Sequence, residues 1–111
     1  SNRLHPTDAP RVSHVSKCLA GPVPVIAATD YVAAYPQLIA SYVSNSFVAL
    51  GTDGFGRSDT RQALRNFFEV DRHQIVVAAL DSLPNQIPRS TVADAIKRYD
   101  IKADALPPWQ R

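Results

Sequence analysis

Two short, continuous apolar runs constrain the fold more than any other feature of the sequence. Residues 23–28 read VPVIAA and residues 46–51 read SFVALG, and turn-forming residues flank both. Such runs are typical of strands buried on both faces of a parallel sheet, which helices between the strands would cover. Because a sheet of only two buried strands leaves unpaired edges, the sequence predicts an incomplete α/β/α domain whose preceding strand or strands are missing.

Helical patterns surround these strands. We expect a first helix capped by Thr7 or Asp8, because a short oxygen side chain satisfies free N–H groups in the first turn. A second helix is expected after Thr29 or Asp30. Pro36 falls inside that second pattern, so the helix should either kink there or begin only near the proline.

Three more helices are predicted after the second strand. Asp59 and Asp71 are the expected caps of the first two, since each has a glutamine three residues later, as in a capping box. Pro88 is expected near the start of the last helix, because its backbone angle suits a first helical turn. Residues 106–111, LPPWQR, are expected to be extended, since a proline disfavours helix at the residue before it.

Length and composition limit the possible classes of protein. The chain has 111 residues, 45% hydrophobic and 20% charged, which suits one small globular domain spanning residues 1–111. No apolar run is long enough to cross a membrane. The formal net charge is only +2 and is spread along the chain, so we expect neither a nucleic-acid partner nor a membrane partner.

Cysteine and histidine give no sign of a metal site. Cys18 is the single cysteine, so no internal disulfide can form, which fits a reducing compartment, and we expect the cytoplasm. His5, His14 and His73 lie far apart and follow no metal-ligand spacing. We therefore expect no bound metal.

A glycine-rich loop follows the second predicted strand, in the stretch LGTDGFGRSDTRQALRNFFEVD. The spacing of Gly51, Gly54 and Gly56 matches neither the dinucleotide-binding motif nor the phosphate-binding loop of nucleoside triphosphatases. Asp53 and Asp59 place negative charge where an anion would have to sit. The pattern favours a structural joint between strand and helix, and a bound phosphate or carboxylate stays open as the alternative.

Arg57, Arg61 and Arg65 repeat every four residues through this region. A helix places Arg61 and Arg65 on one face, with Arg57 just before it. Such a face could contact an anion, an acidic partner or a neighbouring subunit, or it could simply face solvent. The prominent acidic residues are Asp8, Asp30, Asp53, Asp59 and Asp71. Four of them stand at expected helix starts, where capping explains them, and no catalytic residue is predicted.

Four segments of the chain resemble, in order and without gaps, the end of one enzyme family. They read NRLHPTDAPRVSHV, AATDYVAAYPQLIASYV, LGTDGFGRSDTRQALRNFFEVDRHQIVVAAL and VADAIKRYDIKADALPPW. The family is the bacterial homodimeric type of pyruvate dehydrogenase, the decarboxylating component of a multienzyme complex. A looser pattern is similar to the C-terminal domain of the whole transketolase superfamily, and its positions are Asp53, Phe55, Gly56, Ser58, Leu64 and Phe68.

The resemblance implies a parent enzyme with three α/β domains, of which this chain matches the later part of the third. It implies thiamine diphosphate and Mg²⁺ in the parent, bound by the first two domains between the subunits of a homodimer, and a lipoyl acetyltransferase core as partner. Thiamine chemistry needs a glutamate beside the cofactor, and Glu69 lies in the wrong family segment for that role. We therefore expect no cofactor-binding residue here, and a chain that is inactive alone.

Two further expectations concern the chain by itself. Its exposed strand edge and apolar helix face predict self-association, by edge pairing or by exchange of the N-terminal segment. The alternative function is a small binding module, in which the segment from Gly54 to Arg65 captures an anion or an acidic peptide.

Overall fold

Two parallel strands form the sheet of this chain, which a computed structural model describes over residues 1–111. Strand β1 is Val25–Ala28 and strand β2 is Phe47–Leu50. Their register places Val25 opposite Phe47 and Ala28 opposite Leu50. The predicted α/β class and the parallel pair are therefore confirmed, and the sheet has no third strand.

Five α-helices and three single turns of 3₁₀ helix make up the remaining regular structure. The α-helices are α1 His14–Cys18, α2 Ala34–Gln37, α3 Arg61–Phe67, α4 Arg72–Asp81 and α5 Arg89–Arg98. The 3₁₀ turns are Asn2–Leu4, Ala40–Tyr42 and Pro108–Gln110. The two longest helices, α4 and α5, pack against each other, and α4 also packs against β1.

The first helix begins later than predicted. Neither Thr7 nor Asp8 caps it, because α1 starts at His14 and Ser13 is its cap, accepting the Ser16 N–H at 3.1 Å. Pro10 accounts for part of the error. It disfavours helical backbone at the residue before it, so a helix that started near residue 8 could not continue.

The second helix is much shorter than its apolar pattern suggested. Neither Thr29 nor Asp30 caps it, and the Thr29 hydroxyl instead accepts the Tyr31 N–H at 3.1 Å. Helix α2 covers only the four residues around Pro36. Of the two possibilities considered, the late start near the proline is therefore the correct one.

The caps of the later helices agree with prediction in part. Asp71 caps α4 as expected, and one carboxylate oxygen accepts the His73 and Gln74 N–H groups at 3.0 and 2.9 Å. Asp59 does not cap α3, because the hydroxyl of its neighbour Thr60 accepts the Ala63 N–H. Helix α5 begins directly after Pro88, as predicted.

The C-terminal tail is not fully extended. Pro108–Gln110 form a 3₁₀ turn in which the Gln110 N–H donates to the Pro107 carbonyl at 2.8 Å. A proline at the first helical position needs no N–H partner and already has a helical φ angle. The expectation of a purely extended tail was therefore wrong.

The core is small for a chain of this length. Only Phe68, Val70, Val92 and Pro108 are buried. The accessible surface is 8430 Å², whereas a compact monomer of this mass exposes about 6,000 Å². The radius of gyration is 17.3 Å, against about 13 Å for a compact domain. The chain therefore leaves uncovered much surface that a complete domain would bury.

Candidate functional site

A cleft of about 820 Å³ opens where strand β1 ends. Thr29 and Asp30, which follow β1, form one wall. Arg61 and Arg65 of α3 and Arg72 at the start of α4 also line it. Ligands of open α/β sheets bind outside the carboxyl ends of parallel strands, so this position is the natural candidate site.

The charges in this cleft nearly balance. Arg65 pairs with Asp30 across it, with Nη2 and Oδ2 3.3 Å apart, and both side chains are largely exposed. Arg61 has no ion-pair partner. Arg72 donates from Nε to the His73 ring at 3.3 Å. The cleft thus holds only a small positive excess with which to attract an anion.

The three arginines singled out in the sequence meet in a second cleft of about 470 Å³. Arg61 and Arg65 project from α3, and Arg57 lies in the glycine-rich loop that closes the cleft. The guanidinium of Arg57 lies over the ring of Phe67, with Cζ 4.0 Å from the ring centroid. Asp30 lines the same cleft, as does Asp59. The structure therefore brings the arginines together, and their predicted contact with an anion or partner stays a prediction.

The glycine-rich loop follows β2 and packs against the segment that follows β1. A Cβ added at Gly51 would lie 2.6 Å from the Ala33 Cα and 2.8 Å from the Tyr31 carbonyl oxygen. The Thr52 N–H donates to that same carbonyl at 2.8 Å, and Asp53 accepts the Ala33 N–H at 3.0 Å. Only glycine permits so close an approach of two backbones. These contacts favour the structural joint over the phosphate loop.

The C-terminal tail packs against the other end of this loop. Gly54 has a φ angle of 133°, and a Cβ there would lie 3.3 Å from the backbone of Pro108. Arg111 pairs with Glu69, with Nη2 and Oε1 2.6 Å apart. It also donates to the Phe67 carbonyl at 3.2 Å. Glu69 therefore holds the tail, a role that no local sequence signal could reveal.

Phe67 lies against two guanidinium groups. Arg111 approaches its ring with Cζ 4.9 Å from the centroid, in addition to the closer contact of Arg57. A guanidinium over an aromatic face is stabilising, because the ring face is negative. The positive charges of Arg57 and Arg111 are thus both in contact with Phe67 of the same chain.

One polar pair outside the clefts was missed in the sequence. The Sγ atom of Cys18 lies 3.3 Å from Nε2 of His14, one turn earlier on α1, and both side chains are exposed. Their spacing of four residues is the signal that could have revealed the contact. No group of three or more His, Cys, Asp or Glu side chains lies together in a way that could hold a metal ion.

Comparison with known proteins finds one matching domain family and relatives that share one name. A family model described as the transketolase-like TK C-terminal domain matches residues 6–71. The chain is 54% identical over 103 residues to the pyruvate dehydrogenase E1 component of Cupriavidus necator, covering 90% of this chain and 12% of that protein. It is 50% identical over 111 residues to the protein of the same name from Pseudomonas aeruginosa, covering 96% of this chain and 13% of that one.

A third relative shows the same coverage. The pyruvate dehydrogenase E1 component of Escherichia coli K12 is 43% identical over 110 residues, which is 96% of this chain and 12% of that protein. The chain therefore spans only about an eighth of the length of the curated relatives it matches. None of its helices combines the length and the apolar character needed to span a membrane.

Proposed function

This chain belongs to the transketolase-like C-terminal domain family, and we propose that it is the C-terminal part of a pyruvate dehydrogenase E1 component. The observation that carries this proposal is the identity of 43–54% to proteins of that name over at least 90% of the chain. The longer protein would decarboxylate pyruvate with thiamine diphosphate and pass the acetyl unit to a lipoyl group. Its partner would be a lipoyl acetyltransferase core, and its compartment the cytoplasm.

We propose that thiamine diphosphate and Mg²⁺ bind outside residues 1–111. No cluster of acidic side chains could coordinate a metal. After β2, the Thr52 N–H already donates to the Tyr31 carbonyl, and the Asp53 carboxylate, which accepts the Ala33 N–H, adds a negative charge that disfavours a diphosphate there. We assign the cofactor and the metal to the preceding part of the longer protein, and the chain alone is then catalytically silent.

The role of this chain would be structural. Residues 1–111 form one partial domain, which completes an α/β domain of the longer protein and supports its homodimer. The large exposed surface supports this role, because 8430 Å² is far more than a self-sufficient domain of this size leaves in contact with water.

Two measurements test the proposal. The longer protein should release carbon dioxide from pyruvate only when thiamine diphosphate and Mg²⁺ are added. Calorimetric titration of both into the 111-residue chain should show no binding. Clear micromolar affinity in that titration would overturn the assignment of the cofactor to the preceding part.

A second candidate function rests on the three arginines around the smaller cleft. In this alternative, the segment from Gly54 to Arg65 binds an anion or an acidic peptide, with Arg61 as the unpaired cation. Inorganic phosphate should then raise the melting temperature of the chain, because a ligand that binds only the folded state stabilises it. Arg61→Ala should abolish the rise, whereas Arg98→Ala, on α5 and outside both clefts, should leave it intact. No effect of phosphate on the native chain would count against this function.

Self-association is proposed for the chain when it is separated from the longer protein. The outer edges of β1 and β2 have no strand partner, so copies could pair there or exchange their N-terminal segments. Light scattering should show species larger than 12.1 kDa. A monomer that persists at high concentration would contradict this.

A further inference from the structure

The connection between β1 and β2 exposes a row of large apolar side chains. We call this surface the tyrosine face, and its members, with their exposed fractions, are Tyr31 68%, Val32 42%, Tyr35 62%, Leu38 73% and Tyr42 52%. The rings of Tyr31 and Tyr35 pack against each other with centroids 5.4 Å apart. Tyr31 and Tyr35 thus form a contiguous aromatic pair, and the other three exposed side chains lie on the same connection.

The composition of this segment is unlike that of the rest of the chain. Between Asp30 and Asp53 there is no Asp, Glu, Lys or Arg, although 20% of the whole chain is charged. Three of the four tyrosines of the protein lie on the tyrosine face. Depletion of charge together with enrichment of aromatic residues distinguishes the core of a protein interface from ordinary surface.

The exposed area of the tyrosine face approaches that of one side of an interface. A large side chain contributes about 200 Å² when fully exposed, so the five side chains together expose on the order of 600 Å². A standard interface buries about 800 Å² on each partner, and the largest apolar patch of a typical monomer is about 300–600 Å². The tyrosine face therefore lies at the upper end of the range for an apolar patch on a monomer and approaches the area that one partner buries in a standard interface.

The backbone beneath the face is weakly structured by itself. Helix α2 has four residues and no side-chain cap, and the turn Ala40–Tyr42 has none either. A helix this short gains little from its own hydrogen bonds and depends on packing. Packing of another surface against the tyrosine face would supply the stability that this short helix and turn lack by themselves.

We propose that the tyrosine face is covered by an uncharged surface of the polypeptide that precedes residue 1 in the longer protein. This inference rests on the proposed function. The relatives are about eight times longer than the chain, and the matching family is a C-terminal domain, so a large preceding polypeptide is the nearest available occupant. A permanent contact fits an uncharged, aromatic surface, because transient partners meet more polar ones.

Hydroxyl-radical footprinting of the longer protein tests whether the face is covered. The oxidation rates of Tyr35 and Leu38 should be at least about fivefold lower than their exposed fractions in this structure imply. The reason is that side chains in a packed interface lose most of their accessible surface. Leu106, which is 57% exposed and lies outside the connection between β1 and β2, is the matched control and should react as its exposure implies. Full reactivity of Tyr35 and Leu38 would overturn the proposal.

A photoreactive amino acid in place of Leu38 identifies the occupant. Irradiation should give a cross-link within one polypeptide, joining position 38 to a peptide from the preceding part. A product of doubled mass would identify a second copy, and a link to the acetyltransferase would identify that partner, and either result overturns the proposal. Neither readout depends on pyruvate chemistry, so loss of carbon dioxide release with a protected face would reject the proposed activity and leave this inference standing.

Discussion

Replacing Gly51 with alanine tests whether the glycine-rich loop is a structural joint. The new Cβ would lie within 3.0 Å of backbone atoms of both Tyr31 and Ala33. Backbone atoms cannot move aside as the end of a flexible side chain can. The loop after β2 would therefore have to separate from the loop after β1.

The cost can be worked from the hydrogen bonds that hold the two loops together. Thr52 donates its N–H to the Tyr31 carbonyl and its hydroxyl to the Asp30 carbonyl, each at 2.8 Å, and Asp53 accepts the Ala33 N–H at 3.0 Å. At about 1 kcal/mol for each bond, their loss lowers the free energy of unfolding by about 3 kcal/mol. For a chain of this size that corresponds to a fall in melting temperature of about 13 °C.

Gly56→Ala is the matched control. A Cβ at Gly56 meets no atom within 4 Å, so this substitution should change the free energy of unfolding by no more than about 0.5 kcal/mol. Urea denaturation followed by circular dichroism measures both variants. Equal stability of the two variants would refute the account of Gly51 as the point where the two loops touch.

Three smaller perturbations follow from the same structure. Asp71→Ala removes the cap of α4 and should cost about 1 kcal/mol, or about 4 °C in melting temperature, and an unchanged melting curve would contradict the assigned cap. Arg65→Ala breaks only an exposed pair with Asp30 and should cost less than about 1 kcal/mol, so a larger loss would show that the pair is not simply solvated. Arg111→Ala frees the tail from the Glu69 carboxylate and from the Phe67 carbonyl and ring, and should cost about 1–2 kcal/mol. Thermal unfolding with the native chain as reference measures all three.

Local signals were sufficient for the strands and for several helix starts. The apolar runs predicted both strands, and the capping position of Asp71 was correct because its side chain competes with no neighbour. Asp59 failed because Thr60, one residue later, is equally able to cap and lies where the helix begins. Such choices between adjacent residues depend on the path of the incoming chain, which the sequence pattern does not contain.

The candidate site was predictable only in part. Helical spacing placed Arg61 and Arg65 together, but the pairing of Arg65 with Asp30 joins residues 35 positions apart. The contact of Arg111 with Phe67 spans 44 positions. Contacts across such separations arise from tertiary packing, and so the role of the tail was invisible in the sequence.

Release of carbon dioxide from pyruvate tests the central claim most directly. We predict that a longer protein ending in this sequence releases carbon dioxide in a thiamine-diphosphate-dependent reaction, and that the 111-residue chain assayed beside it releases none. Absence of the reaction in the longer protein, with thiamine diphosphate, Mg²⁺ and an oxidised lipoyl acceptor all supplied, would contradict the proposed function.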